Sequence, residues 1–324
     1  VEEKPTGEIS LGAGVGSDGA TVGFSVSENN FLGKGVKLSS SLKLSGDTTR
    51  GNFNINNPNF NYSGRALFTN IESSKTDKLK TGGYESTKTG FSLGTSFEEY
   101  ENLYFSPNIS LFSETIDTLD TASSALKKQK GSNLDGRFTY NLNYDLRNKR
   151  YQTTEGTRSI FTQGIPIISK DYALLNSYEI KKWHQFDNKI VADLGFFVSA
   201  INSLNDEDVK ISSRLRLSKA RLRGFENGKV GPVDSGDYVG GNYASTINFG
   251  AKLPMILPSF ENIDFKYFLD IANLWGVDYS DIVDESSVIR SSTGLAIEWF
   301  TPIGPLSFSL AQNLSKASTD TTET

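Results

Sequence analysis

Few side chains in this sequence could do covalent chemistry. His184 is the only histidine and cysteine is absent, so no His/Cys metal cluster can form and a histidine base has one candidate. Beside Trp183, that histidine reads as a polar ring at an interface. Gly12-Ala13-Gly14-Val15-Gly16 has the glycines of a dinucleotide-binding loop, but the spacing is wrong and no helical pattern follows. Glu98-Glu99-Tyr100-Glu101 reads as a charged strand end, and Glu101 through Ser106 as strand. The expectation is a protein that is not an enzyme, with no catalytic residue, metal site or cofactor. Two charged features remain: a basic cluster, Arg214, Arg216, Lys219, Arg221 and Arg223, and a lone Asp270 inside an apolar run. A formal net charge of −5 gives no reason to expect nucleic acid as a partner.

The elements that must hold these residues are strands. Among 324 residues there are 30 Gly, 21 Phe, 13 Tyr and one Met, the profile of an all-β chain rich in turns. Side chains on a strand alternate between its two faces, and period-two patterns recur along the chain. Ile9, Leu11, Ala13 and Val15 alternate with small residues, then Val22, Phe24 and Val26 follow a Ser17-Asp18-Gly19 turn, which predicts a hairpin. Ile190, Ala192, Leu194, Phe196 and Val198 continue the series. Ile263, Phe265, Tyr267, Leu269 and Ile271 alternate with Asp264, Lys266, Phe268 and Asp270, so Asp270 falls on the polar face.

No run of about 18 apolar residues exists, which excludes a membrane-spanning helix, and the mean hydropathy is −0.36. A transmembrane barrel escapes that test, because its strands need only about 9–11 alternating residues. A soluble sandwich alternates too. Strand length favours the barrel, as do aromatics near strand ends (Tyr104, Phe105, Trp183, Trp275, Trp299). We expect one antiparallel transmembrane β-barrel domain over residues 1–324. About fifteen strands are countable; bacterial single-chain barrels close with an even number, so roughly sixteen are expected, the last missing after the polar tail 315–324. Val1 is not a start methionine, so the chain reads as a mature or excised fragment. One long connection, about 202–241, holds the basic cluster; connections of that length are usually functional. Alternation of Arg214 and Arg216 with Leu215 and Leu217 reads as a strand extending above the membrane with a solvated face, a nucleic-acid or lipopolysaccharide contact being the lesser alternative.

Within that connection lie Leu222-Arg223-Gly224-Phe225, then Gly231-Pro232 and Val239-Gly240-Gly241-Asn242. With Asn57-Pro58-Asn59-Phe60, Tyr151 to Gly156, Phe268-Leu269-Asp270 and Trp299 to Leu306, their order resembles the barrel of the BamA-type outer-membrane-protein assembly factors. That superfamily also holds TamA, two-partner secretion and mitochondrial Sam-type barrels. The resemblance implies a sixth extracellular loop folded back into the lumen, with Arg223 reaching Asp270. A guanidinium can hold a carboxylate through two hydrogen bonds, a geometry lysine lacks, and Gly224 permits a tight turn. Lys266 is a competing partner for Asp270, and where the family often has a second acidic residue this sequence has Gly250. The resemblance further implies a bacterial outer-membrane location and POTRA repeats before the barrel. Its activity would be insertion of unfolded β-barrel clients through a lateral seam beside strand one, in partnership with lipoproteins, the lipid bilayer and lipopolysaccharide. Ile9, Leu11, Gly12, Gly14 and Gly16 would form that strand, the glycines weakening its attachment or making room for the loop. The alternatives are a sister-branch translocation pore and, in another class, a passive porin with an open lumen.

Overall fold

The computed structural model describes residues 6–16, 19–187, 189–254, 262–279, 283–284, 288–301 and 304–323; Val1, the turn residues Ser17 and Asp18, and Thr324 lie outside them. Fifteen antiparallel strands form one sheet in chain order. They are β1 (Gly7–Gly16), β2 (Gly19–Phe31), β3 (Val36–Ser45), β4 (Thr48–Asn57), β5 (Ala66–Lys78), β6 (Tyr84–Tyr100), β7 (Leu103–Thr118) and β8 (Gly131–Asp145), then β9 (Gly156–Ile168), β10 (Ala173–Gln185), β11 (Val191–Ser203), β14 (Tyr243–Lys252), β15 (Ile263–Trp275), β17 (Arg290–Thr301) and β18 (Gly304–Ser315). Three two-residue strands, β12 (Val233–Asp234), β13 (Asp237–Tyr238) and β16 (Val283–Asp284), make a small separate sheet in the loops. Each strand pairs with its successor, so the sheet is the up-and-down meander of a β-barrel. Its first and last strands come within 8 Å, Cα to Cα, with no ladder between them among the described residues.

Polarity is inverted relative to a soluble sandwich. On β11, Leu194, Phe196 and Val198 are exposed while Asp193 is buried. On β15, Tyr267 is exposed while Asp264, Phe268, Asp270, Ala272 and Leu274 are buried. Apolar residues outside and charges inside are what a lipid solvent selects. The aromatics lie near strand ends: Phe105 opens β7, Trp183 and Trp299 close β10 and β17, and Trp275 stacks on Tyr243 at the opposite rim.

The interior is filled by the connection between β11 and β14, residues 204–242. Leu217, Leu222, Phe225 and Val230 of this loop pack on Ala244, Ala272 and Leu274 of the wall. Ile211 and Val239 pack with Tyr84, Ile116, Ala122 and Leu126 on the far side. Each such side chain removed from water stabilises by about 1.5–3 kcal/mol, so the loop is held as a core and not as a surface excursion. The basic cluster therefore departs from the expectation of a solvated strand. Arg214 is buried between the Asp278 carboxylate and the Tyr279 ring, and Leu215 makes only an isolated bridge to Gly241. Alternation there reflects a chain with one side against the wall and the other against the loop's own turns.

Candidate functional site

Four strands of the wall grip the Leu222-Arg223-Gly224-Phe225 turn. Asp270, fully buried on β15, accepts from Arg223 Nε (2.7 Å), Nη2 (2.7 Å) and backbone N (3.1 Å). The Arg223 guanidinium lies 3.6 Å from the Phe268 ring centroid, covering the fork with an aromatic face. From β14, Asn248 donates to both Asp270 Oδ1 (2.7 Å) and the Arg221 carbonyl (2.8 Å), and Thr246 donates to Asn248. From β17, Ser292 donates to the Arg223 carbonyl at 2.6 Å. From β18, Asn313 donates to the Gly224 carbonyl at 2.9 Å, and Ala311 packs beneath. Gly224 has φ +79°, and a Cβ there would lie 2.8 Å from that of Ala311, so both conformation and space call for glycine. Phe225 points the other way into the buried apolar cluster.

Lys266 does not compete for Asp270. Its ammonium reaches Asp193 on β11 (2.5 Å), which also pairs with Lys181 on β10 (3.0 Å), and lies 3.8 Å from Glu298 on β17. To get there the lysine crosses Gly250, where a Cβ would collide with its Cε and sit 2.6 Å from Asp193 Oδ1. Gly250 thus clears a path for an ion pair instead of supplying a second carboxylate. This network, with Arg221 on Glu179 (2.5 Å) and over the Phe197 ring (3.5 Å), lines a lumenal cavity of about 750 Å³ below the turn.

A second anchor was not apparent from sequence. Lys210, on the loop and buried, places its ammonium 2.7 Å from Asp135 of β8, 3.5 Å from Glu114 of β7 and 4.0 Å from Asp171 of the β9–β10 turn. Burial pushes this ammonium down, but Asp135, with Asp171 and Glu114, outweighs it and holds the group above the usual lysine range. Those carboxylates lie scattered along the sequence, and pairing of β7, β8 and β9 gathers them.

Strand β1 contrasts with all of this. Ile9 and Leu11 are 76 % and 75 % exposed, and a Cβ at Gly12 would meet nothing within 4 Å, so clearance for the loop does not account for that glycine. Gly14 and Gly16 lie on the same ladder, opposite Thr21 and Gly19 of β2. His184 is exposed, with Nδ1 3.2 Å from Glu155 and its ring against Phe186.

Comparison with known proteins sets this geometry in context. A model of the Omp85 superfamily domain matches residues 30–324. The outer membrane protein assembly factor BamA of Neorickettsia risticii is 25% identical over 340 residues, an alignment covering 100% of this chain and 45% of that protein. A SAM50-like protein of Schizosaccharomyces pombe is 24% identical, with 93% and 66% covered. The crystal structure of Haemophilus ducreyi BamA lacking POTRA domains 1–3 superposes with a TM-score of 0.89 at 22% identity, covering 99% of this chain and 69% of that one. The chain thus spans less than half the length of the curated BamA relative it matches.

Proposed function

The chain belongs to the Omp85 superfamily, as a β-barrel of the bacterial outer membrane, and from that premise we propose that it inserts and folds other β-barrel proteins in the manner of a BamA-type assembly factor. The observation that carries the reading is the filled lumen: loop 204–242 occupies the interior and is pinned there by Arg223 on Asp270. A passive porin works through an open channel, and a plug built into the core weighs against it. Activity would instead reside at the wall. β1 has one ladder, to β2, and its other edge faces β18 without one among the described residues. An edge of unpaired N–H and C=O groups is a template for a strand of almost any sequence, because backbone hydrogen bonds supply the recognition. The clients would be unfolded barrel proteins, and the accessory partners outer-membrane lipoproteins, with the bilayer and lipopolysaccharide as solvent. In this scheme Leu222 and Phe225 bury the loop, Arg223 and Asp270 fix its register, and Ile9, Leu11, Gly12, Gly14 and Gly16 form the pairing strand.

Reconstitution tests this directly. The full chain is placed in liposomes, an unfolded barrel protein is added, and its acquisition of heat-modifiable, protease-resistant structure is followed over time. Acceleration above empty liposomes is expected. Steady ion conductance without acceleration would overturn the reading and favour a sister-branch translocation pore.

A further inference from the structure

Beyond β18 the chain turns back into the lumen, and residues 316–323 lie along the loop that carries Arg223. Glu226 N donates to the Thr321 carbonyl (3.0 Å), Thr321 N to the Lys229 carbonyl (3.1 Å) and Glu323 N to the Gly224 carbonyl (3.0 Å), with an antiparallel bridge between Phe225 and Thr322. Lys219 reaches Glu323 at 2.6 Å, and the Tyr238 hydroxyl donates to the Thr319 carbonyl. At the centre is Asp320, whose side chain is 0% exposed. Its carboxylate accepts from Arg290 Nε (2.8 Å) and Nη2 (3.1 Å), from Ala317 N (2.8 Å) and from Gly231 N of the loop (3.3 Å). Arg290, equally buried at the start of β17, gives Nη1 to Asn273 of β15 at 2.7 Å. One carboxylate thus joins the wall, the loop and the segment that extends β18.

We propose that Asp320 is a positioning residue that couples β18, which comes within 8 Å of β1, to the seating of the Arg223 turn. Withdrawing β18 from the wall drags Asp320 away from Arg290 and Gly231 and frees the loop; withdrawing the loop removes the backbone that 316–323 lies against and loosens β18. The coupling is reciprocal, as any equilibrium coupling must be. Its purpose rests on the insertase reading, in which a client enters beside β1, the strand that β18 approaches to within 8 Å. The turn would then be seated while the edge is shut and released as it opens.

The absence of cysteine allows single-cysteine reporters in the full chain reconstituted in liposomes. Ala272→Cys reports from the wall beneath Phe225, and Ala317→Cys from the segment after β18; both positions are buried. Labelling by a hydrophilic maleimide is read on the heat-modifiable, folded population only. Asp320→Asn, which keeps the side chain's shape, and Asp320→Ala should each speed labelling at 272 by about tenfold, and Arg223→Ala should speed it at 317 by a similar factor. If either reporter keeps its background rate, the coupling is overturned. A purely local structural role for Asp320 would leave position 317 unmoved by Arg223→Ala. No client is needed for this readout, so a failure of the insertase assay would leave the labelling result standing.

Discussion

The two ends of the sheet are built on opposite plans. From Thr6 to Asn57, no described side chain of β1–β4 or their turns is buried, and the ladder holds those strands with only a few part-exposed polar contacts such as Ser41 on Asn52 and Arg50 on Glu72. From β14 to β18 the lumenal face is locked: Phe268, Asp270, Arg290 and Ser292 are almost wholly out of solvent and touch the loop or the segment that straps it, and the equally buried Thr246 holds Asn248, which does. The same alternating grammar therefore yields a loosely held wall and a rigid one, and the difference lies in what the inward positions meet. Local stability follows buried contacts, so opening is cheapest where the first strands stand alone.

Removing the main lock should have the largest effect. Arg223→Ala or Asp270→Ala leaves a buried partner unpaired, a loss of about 3–5 kcal/mol in loop seating. The reconstituted barrel should gain ion conductance while staying heat-modifiable, and Arg223→Lys should fall between, keeping charge but not the fork. Conductance equal to the unaltered protein would erase the proposed distinction between the walls. Next comes one substitution made on both sides. A methyl at Gly294 of β17 would run into the Leu310 carbonyl and meet the Phe268 ring at 2.9 Å, whereas at Gly12 it meets nothing within 4 Å. Gly294→Ala should cost about 1–3 kcal/mol and Gly12→Ala stay within about 0.5 kcal/mol, measured by the temperature at which the folded band disappears. Equal shifts would break the comparison. The smallest effect concerns pH. Because Lys210 is held above the usual lysine range, its anchoring is complete below the unfolded lysine value and is lost only as pH rises through the higher folded one. Loop protection from protease should stay flat across neutral pH and weaken only in strong alkali, and Lys210→Met should lower it at every pH.

Much of this was legible in the sequence. Period two is a local signal, so the strands, their faces and the inward placement of Asp270 could be read from a few residues at a time. The 202–241 connection could be found by length, although β11 runs to Ser203 and short strands β12 and β13 lie within the loop. What escaped depends on residues far apart in the chain. Glu114, Asp135 and Asp171 converge on Lys210 only when β7, β8 and β9 pair and the loop folds onto them, and each alone looks like an ordinary polar inward residue. The polar stretch after β18 has no periodicity because its hydrogen bonds go to the loop through backbone groups, which any sequence can provide. Gly250 reads as a missing carboxylate until Lys266 is seen crossing it.

Strand length has a consequence for the surrounding lipid. β1, β3 and β4 have 10 residues each, while β6 has 17 and β7 has 16. At about 3.3 Å of rise and a tilt of about 40°, the short strands stand about 25 Å tall and β6 about 43 Å. A typical hydrocarbon core is about 30 Å thick, so lipids beside β1, β3 and β4 must shorten to match the wall, at a fraction of a kcal/mol per ångström of mismatch, whereas β2, with 13 residues, spans it. β14 in the locked wall is equally short, so thinning alone does not mark out the first strands; where it coincides with strands that are held least, it lowers the barrier to a polar backbone crossing there.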